Sequence, residues 1–118
     1  MTPLPHGERA VIEESKLVDY ALNPHSERGQ HKARVFAQAL GFNLSNWELL
    51  KQVILEALPT RPAHAMSETA FGKKYAVIIP LTGPNGRTVD VRTIWQFDHL
   101  PESMQYAEIP RLVTLYLL

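Results

Sequence analysis

The chain has 118 residues, twelve Lys and Arg against twelve Asp and Glu, and no cysteine. That length excludes two independent cores and allows one domain burying roughly two-thirds of its unfolded surface. The missing cysteines exclude a disulfide scaffold, a thiolate zinc site and a thiol nucleophile, and zero net charge excludes a blanket polyanion binder.

Residues 1–12 hold Pro3, Pro5 and Gly7 without periodicity and are expected to form a mobile lead-in to a single domain over 13–118. They lack the basic start and apolar stretch of a secretory signal. The longest apolar stretches, such as Tyr75 to Leu81, fall short of the ~20 residues of a membrane span, so a cytoplasmic protein with no membrane partner is expected.

From Glu13 to Leu22, the apolar residues Leu17, Val18, Ala21 and Leu22 form one face of a short helix, which Asn23-Pro24 stops. A second helix follows, with Ala33, Phe36, Ala37 and Leu40 at helical spacing. Gly29 weakens its first turn and moves the expected start to near Gln30, while Gly41 suits a left-handed helix end. A third helix is expected from Ser45, paired with Glu48 as a capping box. Its stripe is Trp47, Leu50, Val53, Ile54 and Leu58, and Pro59 and Pro62 end it.

The period then changes from helical to alternating. Tyr75, Val77, Ile79 and Leu81 alternate, as do Val89, Val91, Thr93, Trp95 and Phe97. Gly83-Pro84-Asn85-Gly86 lies between them, which predicts a β-hairpin. Residues 98–110 are less regular, and Arg111 to Leu118 is the last expected strand. The stretch from His64 to Phe71 is ambiguous and allows a short extra strand. Helices before antiparallel strands predict an α+β fold: two to three N-terminal helices packed on one face of a three- to four-stranded antiparallel sheet. Odd-numbered strand residues, Val113 included, are expected under the helices. Asp90, Arg92, Ile94, Thr114 and Tyr116 are expected on an open face.

The densest polar cluster is His25, Glu27, Arg28, His31, Lys32 and Arg34. A histidine can move protons near neutral pH and a lysine can hold a phosphate, while a solvated helix end is the alternative reading. The histidines are scattered without an HExxH pattern or placed carboxylates, so no metal and no cofactor are expected. Arg92 stands among apolar strand residues and either covers the sheet or meets an anion. Thr114 and Tyr116 carry hydroxyls on the same face. Trp47 and Trp95 fall on apolar faces and read as core aromatics.

Three strings taken together, HSERGQHKARVFAQALGF, GKKYAVIIPLTGPNGRTVDVRTIW and PRLVTLYLL, resemble a small uncharacterised bacterial family of unknown function. The residues that carry the likeness are Gly29, Lys32, Ala33, Phe36, Leu40 to Phe42, Gly83 to Arg87, Thr93, Trp95 and Pro110 to Tyr116. Such domains are similar to C-terminal modules of polymorphic toxins or to toxins encoded beside small antitoxins. The order of elements also looks like that of the Barnase–EndoU–Colicin–RelE ribonucleases, a likeness at fold level. The resemblance implies a metal-independent endoribonuclease acting on tRNA or ribosome-bound RNA, with a small acidic antitoxin or immunity protein as partner. It implies that His25, Lys32 and Arg92 act in catalysis and that Thr114 and Tyr116 bind substrate. Two departures stand out: many such toxins are basic, and no second histidine lies on the expected sheet strands. The alternative reading is a non-catalytic protein-interaction domain, of immunity or adaptor type, which the neutral charge favours.

Overall fold

The computed structural model describes residues 2–103 and 105–118. The first helix is a single α-turn, α1 (Glu14–Lys16), that widens into a π-helical turn over Leu17–Ala21. The Leu22 N–H reaches the Leu17 carbonyl at 2.9 Å, which closes the wider turn, and Leu17, Ala21 and Leu22 are buried. Helix α2 (Gln30–Leu40) starts where the Gly29 argument places it and buries Ala33, Phe36 and Leu40. Gly41 ends it in the left-handed region at φ 84°, its N–H shared between the carbonyls of Phe36 and Ala37. Helix α3 (Trp47–Ala57) buries Leu50 and Ile54.

The entry to α3 differs from expectation. A 3₁₀ turn over Leu44–Asn46 precedes it, so the capping residues shift toward the N-terminus. Asn43 Oδ1 accepts the Ser45 N–H at 2.8 Å, and Asn46 Oδ1 accepts the Asn43 N–H at 2.8 Å. The Asn43–Asn46 pair therefore replaces the Ser45–Glu48 capping box.

The sheet has five strands: β1 (Ala63–Ala65), β2 (Gly72–Thr82), β3 (Thr88–Leu100), β4 (Gln105–Tyr106) and β5 (Arg111–Leu117). All pairings are antiparallel. Strand β3 is central, with β2 and then β1 on one side and β4 and β5 on the other. The ambiguous stretch after α3 supplies β1, and the irregular 98–110 segment supplies the short β4.

The helix-covered face carries Val77, Ile79, Val91, Trp95 and Leu115, all buried against Leu17, Phe36, Leu40, Leu50 and Ile54. One expected assignment is reversed at β5. The register moves from Ile94↔Thr114 to Trp95↔Leu112, which leaves Val113 as the extra residue of a bulge. Leu112, at 0% exposure, takes the core position expected of Val113, which is half-buried.

The opposite face is less open than its composition suggests. Ala76, Ile94 and Gln96 on that face are buried, and Arg92, Thr114 and Tyr116 are half-buried. The first twelve residues also need a correction. Leu4 and Ile12 are buried, the Thr2 carbonyl accepts the Ala63 N–H at 2.8 Å, and Val11 pairs with β5 through Pro110 and Leu112, both at 2.9 Å. This segment is packed into the domain rather than a free lead-in, because its two apolar side chains complete the core.

Two polar strings have structural duties. Trp95 Nε1 donates to Thr93 Oγ1 at 2.8 Å, and that hydroxyl donates to the Val77 carbonyl at 2.7 Å, so both buried polar groups are satisfied. The hairpin loop after β2 packs against the end of α2: Asn85 donates from its backbone N–H to the Leu40 carbonyl (3.3 Å) and from Nδ2 to the Ala39 carbonyl (3.1 Å). A Cβ on Gly83 would overlap the Leu40 carbonyl, so this approach requires glycine.

Candidate functional site

Strand β5 is the outermost strand on its side, and its edge would present unpaired backbone groups. Val11 covers the beginning of that edge. Further along, Lys32 reaches it from the first turn of α2, donating to the Leu115 carbonyl at 2.9 Å and to Thr114 Oγ1 at 2.7 Å. The ammonium also lies 5.0 Å from the ring centre of Tyr20 and 5.6 Å from that of Tyr116. Arg92 approaches the Tyr116 ring from the sheet, its Cζ 6.0 Å from the ring centre. Lys32, Arg92, Thr114 and Tyr116 thus form one chain of contacts.

His25 does not join this chain through any hydrogen bond of its ring among the described residues. It sits on the turn after Pro24, exposed, with its backbone N–H bound to Asn23 Oδ1 at 2.8 Å. Tyr20 joins instead, and no sequence pattern marks it, because it lies far from Thr114 in the chain and reaches it only by tertiary docking. Gly29 makes that docking possible: a Cβ there would collide with the Tyr20 carbonyl. The π-turn bearing Tyr20 and the first turn of α2 bearing Lys32 meet through this contact.

Burial pushes the Tyr20 phenol up, but hydrogen bonding and charge from Lys32, the Thr114 hydroxyl and the Arg28 charge outweigh it. Its pKa lies below the ordinary tyrosine value as a result. The short hydrogen bonds of Lys32 go to Thr114 and Leu115, so Tyr20 is its longer-range third partner. Among the described residues, the only ion pairs are Lys73–Glu68 and Arg111–Asp98. Lys32 is therefore a half-buried cation held by neutral oxygens and aromatic faces, with no carboxylate to neutralise it.

Beside Tyr20 lies a cleft of about 600 Å³, lined by Glu13, Ser15, Lys16, Tyr20, Arg28, Arg111, Val113 and Thr114. A smaller depression of about 180 Å³ is lined by His31, Lys32, Val35, Phe36, Tyr116 and Leu117. Another groove, about 440 Å³, runs past Leu22, Pro24, Ala33, Ala37 and Leu44 with Arg34 as its one charged group. It is mostly apolar and holds no ionisable side chain besides Arg34, so the cleft at Tyr20 is the better chemical candidate. Asp98 bonds Arg111 at 2.7 Å and Gln96 at 2.6 Å, so the Arg111 charge is matched within the protein. No three His, Asp or Glu side chains come together as metal ligands among the described residues. Nor is any helix among them long and apolar enough to cross a membrane.

The chain belongs to the family described as domain of unknown function (DUF6883), whose model matches residues 3–118. Neither a curated protein nor a solved structure matches it.

Proposed function

We propose that this member of the DUF6883 family is a metal-independent endoribonuclease of toxin type, with its site on the β5 edge around Lys32 and Tyr20. The observation that carries this reading is the half-buried Lys32 ammonium without a carboxylate partner, beside a phenol of lowered pKa. Such a cation favours a bound anion, and RNA supplies a phosphodiester and a hydroxyl to deprotonate.

In the proposed reaction the Tyr20 phenolate takes the proton of the ribose 2′-hydroxyl. The 2′ oxygen bonds to phosphorus, the bond from phosphorus to the 5′ oxygen breaks, and that oxygen takes a proton from water. The products are a 2′,3′-cyclic phosphate and a 5′-hydroxyl end. Lys32, whose hydrogen bonds go to Thr114, Leu115 and Tyr20, favours the ionised phenol, and its charge acts on the phosphoryl oxygens only through space. Arg92, Thr114 and Tyr116 contact the adjoining backbone. His25, expected from the sequence as the general acid or base, gives that place to Tyr20. A small acidic antitoxin is the proposed partner, covering the cations that RNA would meet.

The apolar groove at Leu22 and Leu44, together with zero net charge, favours a protein-interaction domain as the second reading. The test is incubation of the purified protein with tRNA and with ribosomes in the presence of a chelator. Cleavage to cyclic phosphate ends is expected, and Tyr20→Phe should slow it by ~100-fold or more, the scale of general acid–base catalysis. Intact RNA in both incubations, or undiminished cleavage by Tyr20→Phe, overturns this assignment. Intact RNA together with stable capture of a protein partner favours the interaction domain.

A further inference from the structure

The sequence reading offers Arg92, on the sheet face, as the residue that meets an anion. The charges in the structure are arranged differently. The cleft beside Tyr20 contains three cations, Lys16, Arg28 and Arg111, and one carboxylate, Glu13. Arg111 is committed to Asp98, and the Glu13 charge also acts on Arg111. The Asp98 and Glu13 charges thus both act on the same guanidinium. Lys16 and Arg28 form no ion pair among the described residues. Arg28 lines the cleft together with Tyr20, and its charge acts on the phenol. The Ser15, Tyr20 and Thr114 hydroxyls border the same space. Two free cations and the Ser15 and Thr114 hydroxyls suit a tetrahedral oxyanion, which needs several donors and partial charge neutralisation. The volume of about 600 Å³ lies within the range of small-molecule sites, so a phosphate can enter with a nucleoside attached.

We infer that this cleft is a phosphate-binding site in which Arg28 and Lys16 hold the anion and the Ser15 and Thr114 hydroxyls orient it. The inference rests on the ribonuclease reading for the natural ligand, an RNA phosphodiester, but not for the binding itself. Arg28 is the main ligand, because its planar fork can bind two phosphate oxygens at once. Arg92 then contacts a neighbouring part of the chain rather than the bound phosphate.

The test is a titration of the ¹⁵N-labelled full chain with inorganic phosphate at constant ionic strength, with chloride as the control salt. Saturable amide shifts are expected at Ser15, Lys16, Tyr20, Arg28 and Thr114, and chloride should not reproduce them. Arg28→Ala combined with Lys16→Ala should weaken phosphate binding at least tenfold. Both side chains reach the surface, and the amide spectrum of the double variant reports whether the fold is kept. Lys51→Ala, on α3 and outside the cleft lining, should leave binding unchanged. Shifts that chloride reproduces, shifts that survive the double variant, or shifts that Lys51→Ala abolishes would overturn the inference. Phosphate binding without RNA cleavage refutes the ribonuclease reading and leaves this site standing. Cleavage without localised phosphate binding does the reverse.

Discussion

Replacing Lys32 by methionine keeps most of its length and removes the charge that ties α2 to β5. Two hydrogen bonds are lost, to Thr114 Oγ1 at 2.7 Å and to the Leu115 carbonyl at 2.9 Å. Hydrogen bonds to charged groups contribute about 1.5–3 kcal/mol each. The gain from no longer holding a half-buried ammonium opposes that loss. Leu115 is buried, and its carbonyl would lose its side-chain donor, which costs about 1–3 kcal/mol where water does not replace it. The net expectation for Lys32→Met is a loss of about 1.5–3 kcal/mol. In a domain of this size that lowers Tm by about 4 °C per kcal/mol. Urea unfolding of Lys32→Met, Thr114→Val and the double variant isolates the pair, with an expected coupling of about 0.5–1.5 kcal/mol. The Tyr20 phenol, followed by its absorbance on alkaline titration, should ionise at higher pH in Lys32→Met, because the cation that favours phenolate is gone. A stability change below about 0.5 kcal/mol, zero coupling, and an unmoved phenol titration would together refute the placement of Lys32 on the edge.

Gly29→Ala forces a methyl group into the Tyr20 carbonyl, which no rotamer change relieves, so a loss at or above the ~1–3 kcal/mol of ordinary overpacking is expected in urea unfolding. Thr93→Val removes the acceptor of the Trp95 indole N–H and a donor to the Val77 carbonyl, and should cost about 1–3 kcal/mol in the same assay. The Arg111 hydrogen bond, aided by Gln96 and opposed by burial, holds the Asp98 carboxyl below its ordinary pKa. Because the folded value is the lower one, its contribution is present above about pH 4 and is lost as pH falls through the folded value. Asp98→Asn should flatten that part of the stability–pH curve, measured by thermal unfolding from pH 6 to pH 2.

Local periodicity made much of this fold legible. Phe36 and Leu40 repeat at helical spacing in α2, and the alternation in β2 and β3 separates a buried face because each side chain points opposite to the next. The bulge in β5 escaped that logic. Leu112 and Val113 are both apolar, so the string Arg111-Leu112-Val113-Thr114 is compatible with either register. Only the tertiary pairing with β3 selects one. The candidate site is half legible for a related reason. Lys32, Thr114, Tyr116 and Arg92 stood out as polar residues in structured segments, and the structure brings them together. Nearness in sequence groups His25 with Lys32, yet Pro24 and Gly29 separate its turn from the helix. Gly29 read as a weak helix start, whereas the structure uses its missing side chain for contact with Tyr20. Leu4 and Ile12 lay outside any periodic run, so nothing local marked them as core.

Helix α2 is held at both ends: Gly29 abuts Tyr20 at one, and Asn85 and Gly83 of the hairpin dock at the other. Its eleven residues therefore act as a strut of fixed length, roughly 16 Å from the helical rise. One residue inserted between Lys32 and Gly41 would turn the two ends against each other by about 100°. With the hairpin end docked, Lys32 would swing away from β5, and with the Tyr20 end docked, the hairpin would lose its seat. Sequences that keep this architecture should vary in the 98–110 stretch long before they vary in the spacing from Gly29 to Gly41.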